Sequence, residues 1–133
     1  MSKKNINTSG FRKRAVARAC LKEGTGLVRF NNTKIDFVQP ALARLKLQEP
    51  LILAGDIVGK VNIDVKVEGG GIISQVDAAR VAICRALAEF GGEPVKQAFV
   101  SYDRNLLVSD TRRKEACKPN DSKPRAKRQK SYR

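Results

Sequence analysis

The side chains able to do chemistry in this sequence of 133 residues are overwhelmingly cationic, and they are not evenly spread. Residues 1–22 carry a net +7, residues 23–110 a net −1 and residues 111–133 a net +8. The first cluster is Arg12-Lys13-Arg14 with Arg18; the second runs through Arg112-Arg113-Lys114, Lys118, Lys123, Arg125, Lys127-Arg128, Lys130 and Arg133. Two such runs around a near-neutral middle call for a polyanion, because concentrated like charge destabilises a compact state. Only seven aromatic residues are present and none is regularly interleaved with the charges. Base-stacking modules therefore fit poorly, and recognition of the backbone and shape of a folded RNA fits better.

The Gly69-Gly70-Gly71 run before a helical pattern could cradle a phosphate, since bare N–H groups at a helix start favour anions. It could equally be a strand-to-helix turn. It is neither a GK[ST] nucleotide loop nor a GxGxxG fingerprint, and Asp77 sets a carboxylate nearby. Arg80 and Arg85 stand about 140° apart on that helix. Asp77 at i−3 and Glu89 at i+4 are their expected partners. Asp103 and Asp110 show no acid–base pairing. Tyr102 reads as packing, whereas Tyr132 has little core to pack against.

Enzyme chemistry finds no support. Histidine is absent, which excludes Ser/His/Asp and Cys/His arrangements, HExxH sites and histidine metal ligands. Cys20, Cys84 and Cys117 form no CxxC pair and suit a reduced intracellular compartment better than a disulfide framework. No apolar run approaches the roughly 18 residues that span a bilayer, and the N-terminus leads into no signal-like apolar stretch. The expectation is no catalytic residue, no metal, no cofactor, no small-molecule substrate and no membrane. Rivals are a chromatin-like or general RNA-coating protein and a small enzyme using the glycine-rich turn, the latter disfavoured by the absent histidine and the lack of convergent carboxylates.

The elements that must position these groups follow from periodicity. Met1 to Gly10 is polar and reads as mobile. Ala15–Lys22 alternates as a strand, although its alanines also permit a helix. Gly24-Thr25-Gly26 predicts a hairpin from that strand to Leu27–Phe30, and Asn31-Asn32-Thr33 a second turn. Pro40 suits a first helical position; Leu42 and Leu45 give that helix its apolar stripe, and it should end before Pro50. Val61, Ile63, Val65 and Val67 alternate through a strand over 60–68. Ser74-Gln75-Val76-Asp77 predicts a capping box opening a long helix. Its apolar face is Val76, Ala79, Ile83, Leu87 and Phe90, and Gly91-Gly92 ends it. A shorter helix follows near Val95–Tyr102. The segment 111–133 lacks apolar periodicity and predicts an extended tail.

Several motifs, in order, resemble one family: the universal small-subunit ribosomal protein numbered nine, in its archaeal and eukaryotic form. They are Arg12-Lys13-Arg14-Ala15-Val16-Ala17, Gly24-Thr25-Gly26 with Asn31-Asn32, and Glu49-Pro50-Leu51. Gly69-Gly70-Gly71 through Asp77-Ala78-Ala79-Arg80 to Arg85 follows, then Tyr102-Asp103-Arg104-Asn105-Leu106-Leu107 to Asp110-Thr111-Arg112-Arg113, and the ending Gln129-Lys130-Ser131-Tyr132-Arg133. The likeness runs from about Ile6 to Arg133; Ser74 and Val76 stand where the family usually has glycine and alanine.

The resemblance implies an α+β fold in two layers, a mixed sheet of about four strands with helices on one face, plus an extended basic C-terminal tail. The expected organisation is a flexible basic N-terminus (1–11), a globular rRNA-binding domain (12–110) and the tail (111–133). The implied function is a structural constituent of the cytoplasmic small ribosomal subunit, bound to rRNA in the subunit head beside neighbouring head proteins. Its rRNA-binding residues would be Arg12, Lys13, Arg14, Arg18, Gly69, Gly70, Gly71, Arg80, Arg104, Arg112, Arg113, Lys114, Arg125, Lys127 and Arg128. The tip formed by Lys130, Tyr132 and Arg133 would reach peptidyl-site tRNA near the decoding region.

Overall fold

A computed structural model describes residues 5–132. The strands are β1 (Ile6–Arg12), β2 (Ala15–Glu23), β3 (Val28–Phe30), β4 (Thr33–Lys34) and β5 (Val61–Glu68). The helices are α1 (Ala41–Ala54), α2 (Ile72–Gly91) and α3 (Glu93–Tyr102), with 3-10 turns at Ile35–Phe37, Gly55–Lys60 and Arg104–Leu106. The sheet is mixed, in the order β1-β2-β5-β3-β4, with β3 parallel to β5 and the other neighbours antiparallel. The α+β class is as expected, with five strands where about four were predicted; β4 has two residues.

Alternation decides which side of the sheet is covered. Ala15, Ala17, Ala19 and Leu21 of β2 and Val61, Ile63, Val65 and Val67 of β5 are buried. The intervening Val16, Arg18, Asp64, Lys66 and Glu68 are exposed. Helix α2 lies on the buried side, chiefly over β1 and β2. Its inward residues include Ala78, Ala79, Ala82 and Ala86, facing the alanines of β2. Small side chains on both sides bring helix and sheet backbones close, so this core is assembled with few aromatics; Phe99 of α3 is its largest member.

Four expectations are corrected. The predicted β2–β3 hairpin does not form, because β5 lies between those strands. Asn62 Oδ1 accepts from the Thr25 and Leu27 N–H groups at 2.9 and 3.0 Å, tying the Gly24–Gly26 turn to the start of β5. The hairpin partner of β2 is β1, whose residues Ile6–Gly10 fall in the stretch 1–10 that read as mobile. Its sequence shows little apolar alternation because Gly10 is one of its two buried residues, and a glycine carries no hydrophobic signal.

Helix α1 starts after Pro40, at its N-cap, and passes through buried Pro50 to Ala54. Its inward face is Ala43, Leu47, Pro50 and Ala54, while Leu42 and Leu45 are exposed. The helix is apolar on both sides, so periodicity alone picks the wrong one. Finally, α2 begins at Ile72 with Gly71 as its N-cap, and no side chain caps it. Ser74 lies inside its first turn, so the predicted capping box is absent. Phe90 of its predicted apolar face is only half-buried, whereas Val76, Ala79, Ile83 and Leu87 are fully inside.

Candidate nucleic-acid interface

Three chain segments far apart in sequence meet at one end of the sheet. The first is the tight β1–β2 connection, Lys13-Arg14, where Lys13 adopts φ 54°. The second is the β5–α2 junction. Gly69 and Gly70 have φ of 76° and 67°, a region that disfavours side chains. A Cβ on Gly69 would stand 2.6 Å from the Arg14 carbonyl oxygen, so glycine is required by space as well as by φ. Gln75 Nε2 donates to the Gly69 carbonyl at 3.0 Å and braces the junction. The third segment is the start of the tail, Arg113-Lys114.

Together Lys13, Arg14, Gly70, Gly71, Ser74, Arg113 and Lys114 line an open cleft of about 480 Å³. Four of these seven are cations, all exposed, and none is acidic. The N-terminus of the 20-residue helix α2 opens beside it, adding unsatisfied N–H groups and the positive end of the helix dipole. The arrangement can attract and hold a phosphate; it offers no nucleophile with a base.

Behind the cleft, other cations are held by carboxylates. Asp110 accepts from Arg112 N (2.9 Å), Nε (3.0 Å) and Nη2 (2.7 Å), and Arg12 Nη2 lies 3.6 Å away. Arg12 Nη1 also donates to the Arg112 carbonyl at 3.1 Å. The hydrogen bonds from Arg112, with the nearby Arg12 charge, hold the Asp110 carboxyl well below the usual carboxylate range. Arg80 pairs with Glu49 at 2.7 Å and with Asp103 at 3.8 Å, rather than with the expected Asp77, which instead takes Lys46 at 2.9 Å. The Arg80 Nε is buried without a partner.

Arg85 also departs from its expected Glu89. It donates to the carbonyls of Leu107 (2.9 Å) and Ser9 (2.7 Å) and to Ser109 Oγ (3.2 Å). Tyr102 is exposed instead of packed, and its hydrogen bond to Glu49 pushes its hydroxyl pKa up. Burial pushes the Cys84 thiol up to about 12, whereas Cys117 is exposed.

Of the predicted rRNA-binding residues, then, Lys13, Arg14, Gly70, Gly71, Arg113 and Lys114 converge on the cleft, with Gly69 bracing it. Arg12, Arg80 and Arg112 are engaged in internal ion pairs. Arg18 lies on the open sheet face, 4.0 Å from Glu68, and Arg104 is exposed at the final 3-10 turn. In the tail, Arg125 pairs with Glu115 at 3.2 Å and Arg128 with Asp121 at 3.1 Å, while Lys127, Lys130 and Tyr132 are exposed. Arg133 lies outside the described residues. Sequence reading did not single out Ser74 as a cleft residue, nor Asp110 and Arg85 as anchors. The one legible signal was the Asp110–Arg112 spacing, since i and i+2 share a side in extended chain.

No group of three or more His, Cys, Asp or Glu able to hold a metal occurs among the described residues, and no helix there is long and apolar enough to cross a membrane. Comparison with known proteins adds the identity of the scaffold. The family described as "Ribosomal protein S9/S16" matches residues 10–133. The small ribosomal subunit protein uS9 of Methanococcus vannielii is 50% identical over 133 residues, covering 98% of this chain and 99% of its own length. The same protein from Methanococcus maripaludis strain C7 matches with the same identity and coverage. With a cationic cleft, a sheet covered by helices on one side and this likeness along almost its whole length, the chain belongs to the ribosomal protein S9/S16 family, of the archaeal type, and is a structural ribosomal protein of the small subunit rather than an enzyme.

Proposed function

We propose that the protein anchors on small-subunit rRNA in the subunit head of the cytoplasmic ribosome by seating backbone phosphates in the cleft between Lys13-Arg14 and Arg113-Lys114. The observation that carries this reading is the carboxylate-free meeting of three remote segments at the opening of α2. Charge without such convergence would suit a general coating protein equally well. Phosphate contacts of this kind set register and orientation, and sequence is not read by them. Arg104, Arg18 and the tail cations extend the contact, and neighbouring head proteins complete the surroundings.

The tail continues the same chemistry outward. Extended, 23 residues span about 75 Å, enough to leave the domain and bring Lys130, Tyr132 and Arg133 to peptidyl-site tRNA near the decoding region. A planar guanidinium suits a phosphate there because it donates two parallel hydrogen bonds.

The test of the cleft is salt dependence. Replacing Lys13, Arg14, Arg113 and Lys114 together by Ala should flatten the slope of log K against log salt by about 2.8–3.6, at 0.7–0.9 per phosphate contact. An unchanged slope for rRNA binding would show that these groups are merely solvated. For the tip, subunits assembled without residues 131–133 should hold peptidyl-site tRNA several-fold more weakly. Equal affinity would leave the tip a structural role only.

A further inference from the structure

The cleft has two preformed walls and one that must be brought to it. Lys13-Arg14 belongs to the β1–β2 hairpin, and Gly70, Gly71 and Ser74 belong to the opening of α2. Arg113 and Lys114 belong to neither. Beyond Leu106 the described chain contains no helix or strand; backbone bonds from Leu107 and Val108 to the Arg104 carbonyl end at Val108, and from there to Lys114 the bonds that hold the chain involve side chains. Those bonds are few and specific. Arg85, from α2, grips the Leu107 carbonyl and Ser109 Oγ while also holding the Ser9 carbonyl of β1. Three residues later, Asp110 binds Arg112 through its backbone N–H and its guanidinium, and faces Arg12 at 3.6 Å. Arg12 closes the loop by donating to the Arg112 carbonyl.

Arg12 immediately precedes Lys13, and Arg112 immediately precedes Arg113. The carboxylate therefore ties together the residues just behind the two cationic walls. Resting on the reading of the cleft as a phosphate site, we infer that Asp110 is a positioning residue that assembles this site, holding Arg113 and Lys114 opposite Lys13 and Arg14. It touches no ligand itself. Without it, the tail cations remain attached to the chain but are no longer delivered to the α2 opening, and a phosphodiester meets two walls in place of three.

This role makes a prediction opposite in sign to simple electrostatics. Asp110→Asn raises the net charge of a polyanion-binding protein by one, which by charge alone tightens RNA binding. Loss of positioning weakens it. With about two phosphate contacts released, the affinity of the full-length chain for a short RNA duplex should fall by about tenfold at 0.1 M salt. Asp110→Glu keeps the charge but moves the carboxylate by a methylene, and should also weaken binding. Asp121→Asn, which frees Arg128 in the outer tail, serves as the control and should bind equally or more tightly.

Position is read independently by a spin label on exposed Cys117, in a Cys20→Ser background. In the parent protein the label should broaden the amide signals of Lys13, Gly70, Gly71 and Ser74. In Asp110→Asn that broadening should fade while the signals of α2 and β5 stay in place. Unchanged broadening together with equal or tighter RNA binding overturns the role of Asp110. If the quadruple alanine variant of the cleft leaves the RNA salt slope unchanged, the phosphate-site reading fails instead, and the two failures are distinguishable.

Discussion

Gly10 offers the sharpest perturbation of the scaffold behind the cleft. It lies in edge strand β1 where that strand crosses α2, and a Cβ there would stand 2.4 Å from the Ala78 carbonyl oxygen and 2.8 Å from the Ala82 nitrogen. Both are helix backbone, which cannot swing aside as a side chain can. Gly10→Ala therefore requires β1 to retreat, loosening the Thr8 Oγ1 bond to the Ala82 carbonyl (2.8 Å) and the Arg85 bond to Ser9. Overpacking of this kind costs about 1–3 kcal/mol, and each weakened hydrogen bond about 1 kcal/mol. Against this stands about 0.4–1 kcal/mol gained by restricting the unfolded chain. The expected net loss is about 2–4.5 kcal/mol, which lowers Tm by roughly 8–20 °C for a folded region of about 100 residues. Thermal and denaturant unfolding followed by circular dichroism measure it. Gly59→Ala is the control: nothing lies within 4 Å of its would-be Cβ, so stability should change by less than about 0.5 kcal/mol. Equal stability of the two variants would refute the close approach of β1 to α2 and, with it, the account of how Arg12 and the Lys13-Arg14 turn are placed.

Arg80→Ala should lower stability by about 1–2 kcal/mol in denaturant unfolding, because Glu49 and Asp103 lose a partly buried cation; an unchanged midpoint with a flatter RNA salt slope would return Arg80 to the RNA-facing set. Alkylation at pH 8 should label Cys117 rapidly and Cys84 only on unfolding, and a native protein labelled at Cys84 as fast as at Cys117 would contradict its burial. Because the folded pKa of Cys84 is raised, its stabilising contribution is complete below the ordinary value of 9 and is lost as pH rises towards about 12; pH-dependent unfolding of the Cys84→Ala variant against the parent checks the sign.

Where a signal was carried by several residues in phase, the sequence was readable. The alternations of β2 and β5 and the face of α2 through Val76, Ala79, Ile83 and Leu87 appear as read. The failures have physical causes. Strand order is not encoded in local periodicity, so the turn at Gly24–Gly26 looked like a hairpin although Asn62 binds it to a strand 35 residues further on. β1 is held by ladder bonds to β2 and by the fit of a glycine against helix backbone, neither of which has hydrophobic amplitude. Pro50 is tolerated within α1, where propensity argues for an end.

The candidate site was legible as a set of cations and not as a geometry. Counting charges placed Arg12, Arg80 and Arg112 beside Lys13, Arg14, Arg113 and Lys114, because all look alike in sequence. Folding separates them by the carboxylates it brings near. Glu49 and Asp103 take Arg80, Asp77 takes Lys46, and Asp110 takes Arg12 and Arg112, each acid lying on a different element from at least one of its cations. The cations of the Arg12, Arg80 and Lys46 pairs are largely shielded, at 18–32% exposure, whereas Arg112, although held by Asp110, is 83% exposed. The outer tail pairs differ in kind. Arg125 with Glu115 and Arg128 with Asp121 hold cations 88% and 68% exposed, and such surface pairs are worth about 0–1 kcal/mol. On the proposed reading, a polyanion displaces those carboxylates and leaves Asp110 in place. The acidic residues of the near-neutral middle thus decide which cations remain available: they engage Arg12, Arg80 and Lys46 within the domain and, on the proposed reading, brace the cleft through Asp110 and leave the tail cations for RNA.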